Sequence, residues 1–326
     1  MKIGILTIHF GVNHGSVLQA YALNKFLSSS GNDVKTINYI PKRYRVWNTL
    51  YKEKRNKYPL FVLILYYPVA LIRSYKGRYI FKTFLDDNLP LTNRIGNIDG
   101  LRKIASNFDC LIVGSDQVWN EDYNGKKETA YYLDFVPKEI NKIAYAASFG
   151  KDKLSSESEY ERIGKYLSSF SRLSVREEEG IEILSKMGLY ATHVVDPVFL
   201  LDESEWLSFA NDNIKINGKY ILVYVMDGLY DTLLINAELI KIKLGCKIVV
   251  VSFYKIIDKR IDIMLYNITP DSFVNLVHNS EFVITNSFHG TAFSILMGKR
   301  ALIIGKNKYN SRIKSLLPLN RLPHVI

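Results

Sequence analysis

The chain has 326 residues, of which 48% are hydrophobic, and a formal net charge of +11 at pH 7. This length exceeds that of most single cores and favours two globular domains over a fibrous or disordered chain. The amino terminus passes directly into a strand pattern without a signal peptide, and both cysteines lie in apolar runs, so we expect a cytoplasmic protein with reduced thiols. The positive charge alone fits nucleic acid, an anionic membrane or an acidic small substrate.

Short apolar strand patterns alternate with helical patterns, which predicts an α/β fold with parallel sheets. The first helix is expected to begin at Ser16 and to end at Ser30 and Gly31. Ser16 has capping-box spacing to Gln19. A polar stretch places the domain boundary at 168–172, between an amino-terminal domain 1–170 and a carboxy-terminal domain 171–326. Strands are predicted at 2–8, 34–39, 110–113, 143–147, 173–175, 220–225, 247–251, 282–284 and 301–304.

A predicted insertion at 41–85 contains a segment, 41–78, that combines positive charge with an apolar run. The segment holds ten Lys or Arg residues against one Glu, around the apolar residues 60–72. This run is shorter than the ~20 apolar residues that span a bilayer and contains Pro68, so we exclude a transmembrane helix. Two interpretations remain: a helix with a solvated basic flank, or peripheral contact with anionic lipid or a lipid-linked substrate.

Residues 285–291 lie where an apolar strand pattern ends and an apolar helical pattern begins. A turn of this kind directs free backbone N–H groups and the positive end of a helix dipole into a cleft, which suits an anion. His289 in this turn adds a proton donor or acceptor beside the anion. The alternative is a histidine of the core or of the surface.

Polar residues also follow several other predicted strands. Because ligands of parallel α/β sheets bind beyond the carboxyl ends of the strands, these residues predict one cleft shared by both domains. Asp116, with Trp119 close behind it, has a composition suited to a sugar; the alternative is a helix cap with Trp119 in the core. The strand ends carry His9, Asp116, Ser148, Arg176, Asp227 and the turn at 287–291.

Seven segments, taken in their order along the chain, form a wider pattern: 13–23, 114–120, 144–150, 174–177, 196–197, 285–294 and 312–317. Together they resemble the polysaccharide pyruvyl transferase family. The resemblance implies two Rossmann-like domains in a glycosyltransferase B-like arrangement. It also implies transfer of pyruvate from phosphoenolpyruvate, a co-substrate that needs no further cofactor, to two sugar hydroxyls as a ketal, with release of phosphate. We expect no metal site, because the six histidines are dispersed without ligand spacing.

By this resemblance His289 is the general acid/base beside the donor, and Asp116 is the carboxylate that binds or deprotonates an acceptor hydroxyl. The fork of the Arg176 guanidinium and the backbone N–H groups of the helix start suit the anionic donor. For Asn13 and His14 the alternative is a turn before a helix cap. The expected donor contacts are Arg176, Ser287, Phe288, Gly290 and Thr291, and the expected acceptor contacts are Asn13, His14, Gln117 and Trp119.

Some members of this family carry an arginine two positions before the histidine, where this chain has Ser287. We therefore expect the phosphate to depend on backbone N–H groups, Arg176, Lys255 or Lys306. The expected acceptor is a precursor of a cell-surface polysaccharide, for which a lipid-linked intermediate at the inner face of the membrane is one option. No nucleic acid is expected, because the basic cluster is local and no recognition motif occurs. A nucleotide-sugar-dependent glycosyltransferase of the same fold and a non-catalytic anion- or carbohydrate-binding protein stay open.

Overall fold

In a computed structural model of the chain, residues 1–41, 44, 75–226, 228–305 and 316 are described. The strands are β1 (Lys2–Leu6), β2 (Asp33–Thr36), β3 (Cys110–Val113), β4 (Asn141–Ala147), β5 (Arg172–Val175), β6 (Thr192–His193), β7 (Tyr220–Val225), β8 (Lys247–Ser252), β9 (Ile263–Tyr266), β10 (Phe282–Thr285) and β11 (Ala301–Ile303). The helices are α1 (His14–Ser29), α2 (75–88), α3 (Ile98–Ala105), α4 (Glu121–Asn124), α5 (Glu157–Leu167), α6 (Glu178–Lys186), α7 (Glu203–Phe209), α8 (Tyr230–Leu244), α9 (Pro270–His278) and α10 (Phe288–Leu296). Short 3-10 turns occur at Ala130–Tyr132 and Pro197–Leu200.

These strands form two parallel sheets. The first has the order β2-β1-β3-β4-β5-β6 and the second the order β11-β10-β7-β8-β9. Every residue of the inner strands β3 and β7 is buried, because helices cover both faces of each sheet. In the first domain, α1 covers one face and α3, α5 and α6 cover the other. In the second domain, α8 covers one face and α7, α9 and α10 cover the other.

Helix α1 connects β1 to β2 of the first sheet, but it packs against both domains. Leu23 contacts the core of the first sheet. Leu18 and Ala22, on another face of the same helix, lie in the core of the second domain together with Trp206 and Phe273. The carboxyl ends of the two sheets therefore meet at the amino-terminal turn of α1, which is where the candidate site lies.

The sequence patterns locate most of the framework. All nine predicted strands are confirmed, with ends displaced by at most a few residues. The short strands β6 and β9 were not predicted. The start of α1 differs from the prediction, since the helix begins at His14 and Asn13, not Ser16, is its N-cap: the Asn13 side chain accepts hydrogen bonds from the Gly15 and Ser16 N–H groups.

The division of the chain also differs from the prediction. β5 pairs with β4, and β6 pairs with β5, so both belong to the first sheet. The boundary expected at 168–172 therefore lies inside the first domain, and the chain changes sheet between His193 and Tyr220. The polar stretch before Arg172 is the solvent-facing helix α5 and its following turn, not a linker.

Several predictions concern residues outside the described part of the chain. These are most of the basic segment 41–78, Asp227, Lys306, and residues 312–317 except Leu316. Among the helices that are described, none combines the length and the apolar character needed to cross a membrane.

Candidate functional site

The second domain contributes a strand, a tight turn and a helix to the site. β10 ends at Thr285, Ser287 caps α10 by accepting a hydrogen bond from the Gly290 N–H at 3.3 Å, and His289 lies in the first turn. A β-carbon on Gly290 would come within 2.5 Å of Thr285 Oγ1, so glycine lets the helix start this close to the strand. In the described chain the N–H groups of Phe288 and His289 have no acceptor, so they remain free donors at the positive end of the helix.

The imidazole of His289 lies at the junction of the two domains. The residue is 7% exposed, and its Nε2 atom has no hydrogen-bond partner among the described residues. Nε2 is 3.7 Å from Oδ2 of Asp196, which is longer than a hydrogen bond. The opposite edge of the ring packs against Gly15 in α1, where a β-carbon would overlap Nδ1. One ring nitrogen is therefore unsatisfied and available to a ligand.

Arg176 follows β5 and approaches the same place from the first domain. Its Nε donates to Oε1 of Glu177 and its Nη1 to Oδ2 of Asp196, both at 2.9 Å. The guanidinium carbon lies 4.2 Å from the centroid of the Phe288 ring, so an arginine of one domain stacks on an aromatic ring of the other. Nη2 is buried without a partner in the described structure. This nitrogen is the part of the fork that remains free for an anion.

Asp196 connects these groups and is a residue of the candidate site that local sequence patterns missed. Its Oδ2 accepts from Arg176 and from the Ser115 hydroxyl at 2.9 Å, and its Oδ1 accepts from the Val198 N–H at 3.1 Å. Burial alone would raise the pKa of the Asp196 carboxyl, but His289 and Arg176 together hold that pKa well below its ordinary value. Asp196 is therefore a fixed negative charge facing the imidazole. Its only signal in the sequence was its place in the 196–197 family segment.

Asp116 stands at the carboxyl end of β3 in a left-handed backbone conformation, with φ of 71°. Its Oδ2 accepts from the Ser16 hydroxyl at 2.6 Å, and its Oδ1 accepts from the Gln117 N–H at 2.9 Å. The carboxylate is also close enough to Arg176 to contribute to the raised pKa of that guanidinium. Asp116 therefore contacts Ser16, and His289 contacts the neighbouring Gly15, in the same turn of α1.

The residues that follow Asp116 differ in their positions. Gln117 is partly exposed and accepts a hydrogen bond from Asn120 at 2.6 Å, so it borders the site with its amide oxygen engaged. Trp119 is 1% exposed, and its indole N–H donates to the Tyr131 carbonyl at 3.0 Å. The expectation of an acceptor contact at Trp119 is therefore corrected: the indole belongs to the core of the first domain, as its alternative stated.

Asn13 and His14 are also explained by local structure. Asn13 is the partly exposed N-cap of α1. His14 is buried with its ring 5.0 Å from that of Phe273, and its nitrogens bond to the Tyr224 hydroxyl and the Ile268 carbonyl, each at 3.2 Å. Burial lowers the pKa of His14 to about 4. The expected acceptor contact at His14 is corrected, because this neutral ring fastens the first domain to the second.

The other expected donor contacts act mainly through the backbone. The Ser287 hydroxyl caps α10, and the buried Thr291 hydroxyl donates to the Ser287 carbonyl at 2.9 Å. Phe288 supplies its ring to Arg176 and a free N–H to the site. Lys255 is exposed in the loop after β8, and Lys306 lies outside the described residues.

The charged side chains of this cluster sum to a net negative charge. Three carboxylates, Asp116, Glu177 and Asp196, surround a single guanidinium, with His289 beside them. An anionic ligand would therefore be held by Arg176 Nη2, His289 Nε2 and the free N–H groups of α10 rather than by a surplus of positive charge. No group of three or more metal-binding side chains occurs among the residues that the structure describes.

Two parallel α/β domains with a site at their junction define the fold class of glycosyltransferase B-type enzymes, and solved structures support this. MnaA of S. aureus, in a structure with UDP, has a TM-score of 0.54 at 11% identity, covering 100% of this chain and 83% of the other. UDP-GlcNAc 2-epimerase from Methanocaldococcus jannaschii has a TM-score of 0.53 at 11% identity, covering 100% of this chain and 88% of the other. An α-glucosyltransferase in complex with UDP and DNA has a TM-score of 0.51 at 10% identity, covering 93% of this chain and 79% of the other. At these identities the likeness concerns the fold alone.

The sequence itself gives the family. The polysaccharide pyruvyl transferase family model matches residues 13–307, and the chain belongs to this family. No curated protein matches the chain. The matched range includes every residue of the cluster described above, from Asn13 to Thr291.

Proposed function

We propose that this transferase moves pyruvate from phosphoenolpyruvate to two hydroxyls of a sugar in a cell-surface polysaccharide precursor, forming a ketal. One observation carries the proposal: among the described residues, Arg176 Nη2 and His289 Nε2 are buried without a hydrogen-bond partner, and both side chains lie at the start of α10, where Arg176 stacks on Phe288. Unsatisfied buried donors are costly, so such a cluster is best explained by an anionic ligand. Phosphoenolpyruvate carries a phosphate and a carboxylate on three carbons, which suits this small set of donors.

The chemistry needs one acid and one base near the donor. A proton is added to the methylene carbon, the first sugar hydroxyl attacks the adjacent carbon, and the C–O bond to phosphate then breaks. The second hydroxyl attacks the same carbon and completes the ketal. Two hydroxyl protons are lost in all: one balances the proton gained by the new methyl group, and the other leaves with phosphate.

His289 is assigned as the group that exchanges these protons at the donor. Its Nε2 is buried without a hydrogen-bond partner among the described residues, and the ionised Asp196 faces it at 3.7 Å. Asp116 is assigned to the acceptor hydroxyl, because its carboxylate lies at the same helical turn. The left-handed conformation of Asp116 agrees with this role, since strained backbone tends to occur at functional sites.

The donor phosphate is proposed to rest on backbone N–H groups. Ser287 stands where some relatives have arginine, so α10 supplies the Phe288 and His289 N–H groups and its dipole instead. Arg176 Nη2 is then left for the carboxylate or a second phosphate oxygen. Cytoplasmic location and membrane contact through 41–78 remain predictions.

Acceptor-dependent phosphate release from phosphoenolpyruvate tests the proposal, with a panel of galactosides, mannosides and N-acetylhexosaminides as acceptors. Wild-type protein should release phosphate only when donor and a sugar of the panel are both present. Arg176→Lys should raise the KM for phosphoenolpyruvate roughly tenfold, because lysine lacks the planar fork. The matched control, Arg172→Lys, changes an exposed arginine at the start of the same strand and should behave as wild type.

The same assay separates the two other functions. Consumption of a UDP-sugar without phosphoenolpyruvate would identify a glycosyltransferase instead. Binding of phosphoenolpyruvate without turnover on any acceptor would leave a non-catalytic anion-binding protein. Either result would overturn the proposal.

A further inference from the structure

A cavity of about 1170 Å³ lies on the first domain, between the loop after β1 and helix α2. Aromatic rings form much of its wall, from Phe10, Tyr44, Tyr75 and Tyr79. Small-molecule sites commonly measure roughly 300–1,000 Å³, so this space exceeds what a three-carbon donor needs. The cavity is therefore suited to a larger ligand than phosphoenolpyruvate.

The aromatic wall is partly fixed in place. The Phe10 and Tyr44 rings lie 4.9 Å apart, and the Tyr44 hydroxyl donates to the Tyr123 carbonyl at 3.0 Å. Across the cavity, Tyr75 and Tyr79 stack at 6.4 Å with 22° between their planes. These two tyrosines are 70% and 59% exposed, which is unusual for a stacked aromatic pair in a protein with so many buried rings. They offer an open apolar face with hydroxyls at its edge.

Beside the aromatic rings, the cavity is lined by polar side chains and by charged ones, among them Arg78, Lys82, Arg94 and Asp86. In the buried His9 ring, Nδ1 lies 3.1 Å from the Thr7 carbonyl oxygen and Nε2 lies 3.3 Å from the Asn38 side-chain oxygen, and the neutral ring can donate to only one of them. The side-chain nitrogen of Asn38, Nδ2, has no hydrogen-bond partner in the described structure. The backbone N–H of Asn38 donates to the Thr92 hydroxyl at 3.0 Å. Burial lowers the pKa of His9, so the ring is neutral near pH 7. Amide and hydroxyl groups next to aromatic faces suit a carbohydrate, and the basic side chains would accept one that carries a negative charge.

The cavity is close to the candidate active site. Gly11 lines it, and Gly15, which packs on His289, is only four residues later, so the two lie at most about 14 Å apart. Phe81 of α2 also lines the cavity, and its ring is 5.1 Å from that of His14 at the domain junction. A glycan in the cavity would reach toward Asp116, at the carboxyl end of the first sheet, and toward His289 at the domain junction.

We infer that this cavity holds the carbohydrate acceptor, with a sugar ring stacked on the Tyr75–Tyr79 pair and a further ring over the polar side chains of the cavity. The inference rests on the proposed function for the identity of the reaction, but it concerns binding of glycan alone. It also replaces the acceptor contacts expected at Trp119 and His14, which are buried in packing roles.

Saturation-transfer NMR without phosphoenolpyruvate tests the inference, using lactose, cellobiose and N,N′-diacetylchitobiose as probes. At least one probe should receive saturation from wild-type protein. Replacing both Tyr75 and Tyr79 by alanine should weaken that binding roughly tenfold, because two aromatic contacts are lost. Tyr190→Ala removes an 88% exposed tyrosine of the same domain outside the cavity and should bind as wild type.

Binding by none of the probes, or equal binding by wild type and the double variant, would overturn the inference. Because both tyrosines are exposed, the double variant should keep the wild-type melting temperature, which is measured alongside. A glycan that binds normally while phosphoenolpyruvate yields no phosphate would refute the proposed reaction and leave the sugar site standing. If transfer does occur, an unchanged acceptor KM in the double variant would refute the sugar site and leave the reaction standing.

Discussion

The imidazole of His289 packs directly against the backbone of Gly15, so closely that a β-carbon on residue 15 would overlap Nδ1 of the ring. Gly15 belongs to the first turn of α1 and His289 to the first turn of α10. The contact therefore joins the amino-terminal turns of two helices from different domains. It fixes the edge of the ring opposite Asp196, and Nε2 has no hydrogen-bond partner in the part of the chain that the structure describes.

Gly15→Ala should displace the imidazole without removing any chemical group of the cluster. Misplacement of a catalytic group by about 1 Å costs on the order of 100-fold in rate, so we expect a loss of kcat of that size. The measurement is kcat for phosphate release, together with the melting temperature. Gly96→Ala is the matched control, because its β-carbon would meet only the Ile40 carbonyl at 3.8 Å. Wild-type kcat in Gly15→Ala would show that the ring position does not matter.

Asp196→Asn should lower kcat and change the pH–rate profile, because the amide cannot supply the negative charge that faces His289. Glu177→Gln is its matched control. Glu177 also accepts a hydrogen bond from Arg176 at 2.9 Å, but within the described part of the chain it makes no ion pair or hydrogen bond with His289. Breaking a buried ion pair costs about 3–5 kcal/mol of stability, so both variants should unfold more easily. Only Asp196→Asn should alter the pH dependence of kcat. Equal profiles for the two would reduce Asp196 to a structural partner of Arg176.

Asp116→Asn should keep the fold and lose activity toward the acceptor. Asparagine tolerates the left-handed region at φ of 71°, and its single side-chain oxygen can keep one of the two hydrogen bonds, from the Ser16 hydroxyl or from the Gln117 N–H. Asp116→Ala loses both hydrogen bonds and meets strain of about 1–2 kcal/mol, so it should also lower the melting temperature. Kinetics with varied acceptor give the answer: kcat/KM for the sugar should fall in both variants. Full activity in Asp116→Asn would remove the carboxylate from the mechanism.

The buried His14 should make the domain junction sensitive to acid. Its pKa is 6.5 in an unfolded chain and about 4 in the fold, so the unfolded chain binds more protons between these values. The contribution of His14 to the free energy of unfolding is therefore fully present above pH 6.5. It falls by about 3 kcal/mol as the pH drops from 6.5 to 4. His9, whose pKa burial also lowers, acts in the same direction.

Denaturant unfolding of wild type and His14→Phe across this pH range measures the effect. The variant should be less stable at pH 7, because the Tyr224 hydroxyl and the Ile268 carbonyl lose their partner. Its stability should depend less on pH, with only the contribution of His9 and the carboxyl groups remaining. Identical slopes in the two proteins would contradict the assignment of this acid sensitivity to His14.

The sequence predicts the framework well because parallel strands buried on both faces are continuous apolar runs, as in β3 and β7. It misses β6 and β9, which have two and four residues and lie at sheet edges with partly exposed side chains. The domain boundary fails for a related reason. Nothing local distinguishes a strand that continues one sheet from a strand that starts the next.

The site is predicted less completely. The strand-turn-helix pattern locates His289 and its helix cap, and the family segments locate Arg176 and Asp116. The packing role of His14 cannot be inferred locally, because its ring partners Tyr224 and Phe273 are more than two hundred residues away. Asp196 is similar: its importance lies in the distances to Arg176 and His289, which only the folded chain establishes.

Transfer of a pyruvyl group in D₂O tests the central claim most directly. Phosphoenolpyruvate labelled with ¹³C is incubated with the accepted sugar, and the product is examined by NMR for wild type and for His289→Ala. We predict a ketal whose methyl group carries a single solvent deuterium, formed by wild type and at least about 100-fold more slowly by the variant. A transferred group without deuterium, or equal rates for the two proteins, would contradict the mechanism that places His289 beside the donor.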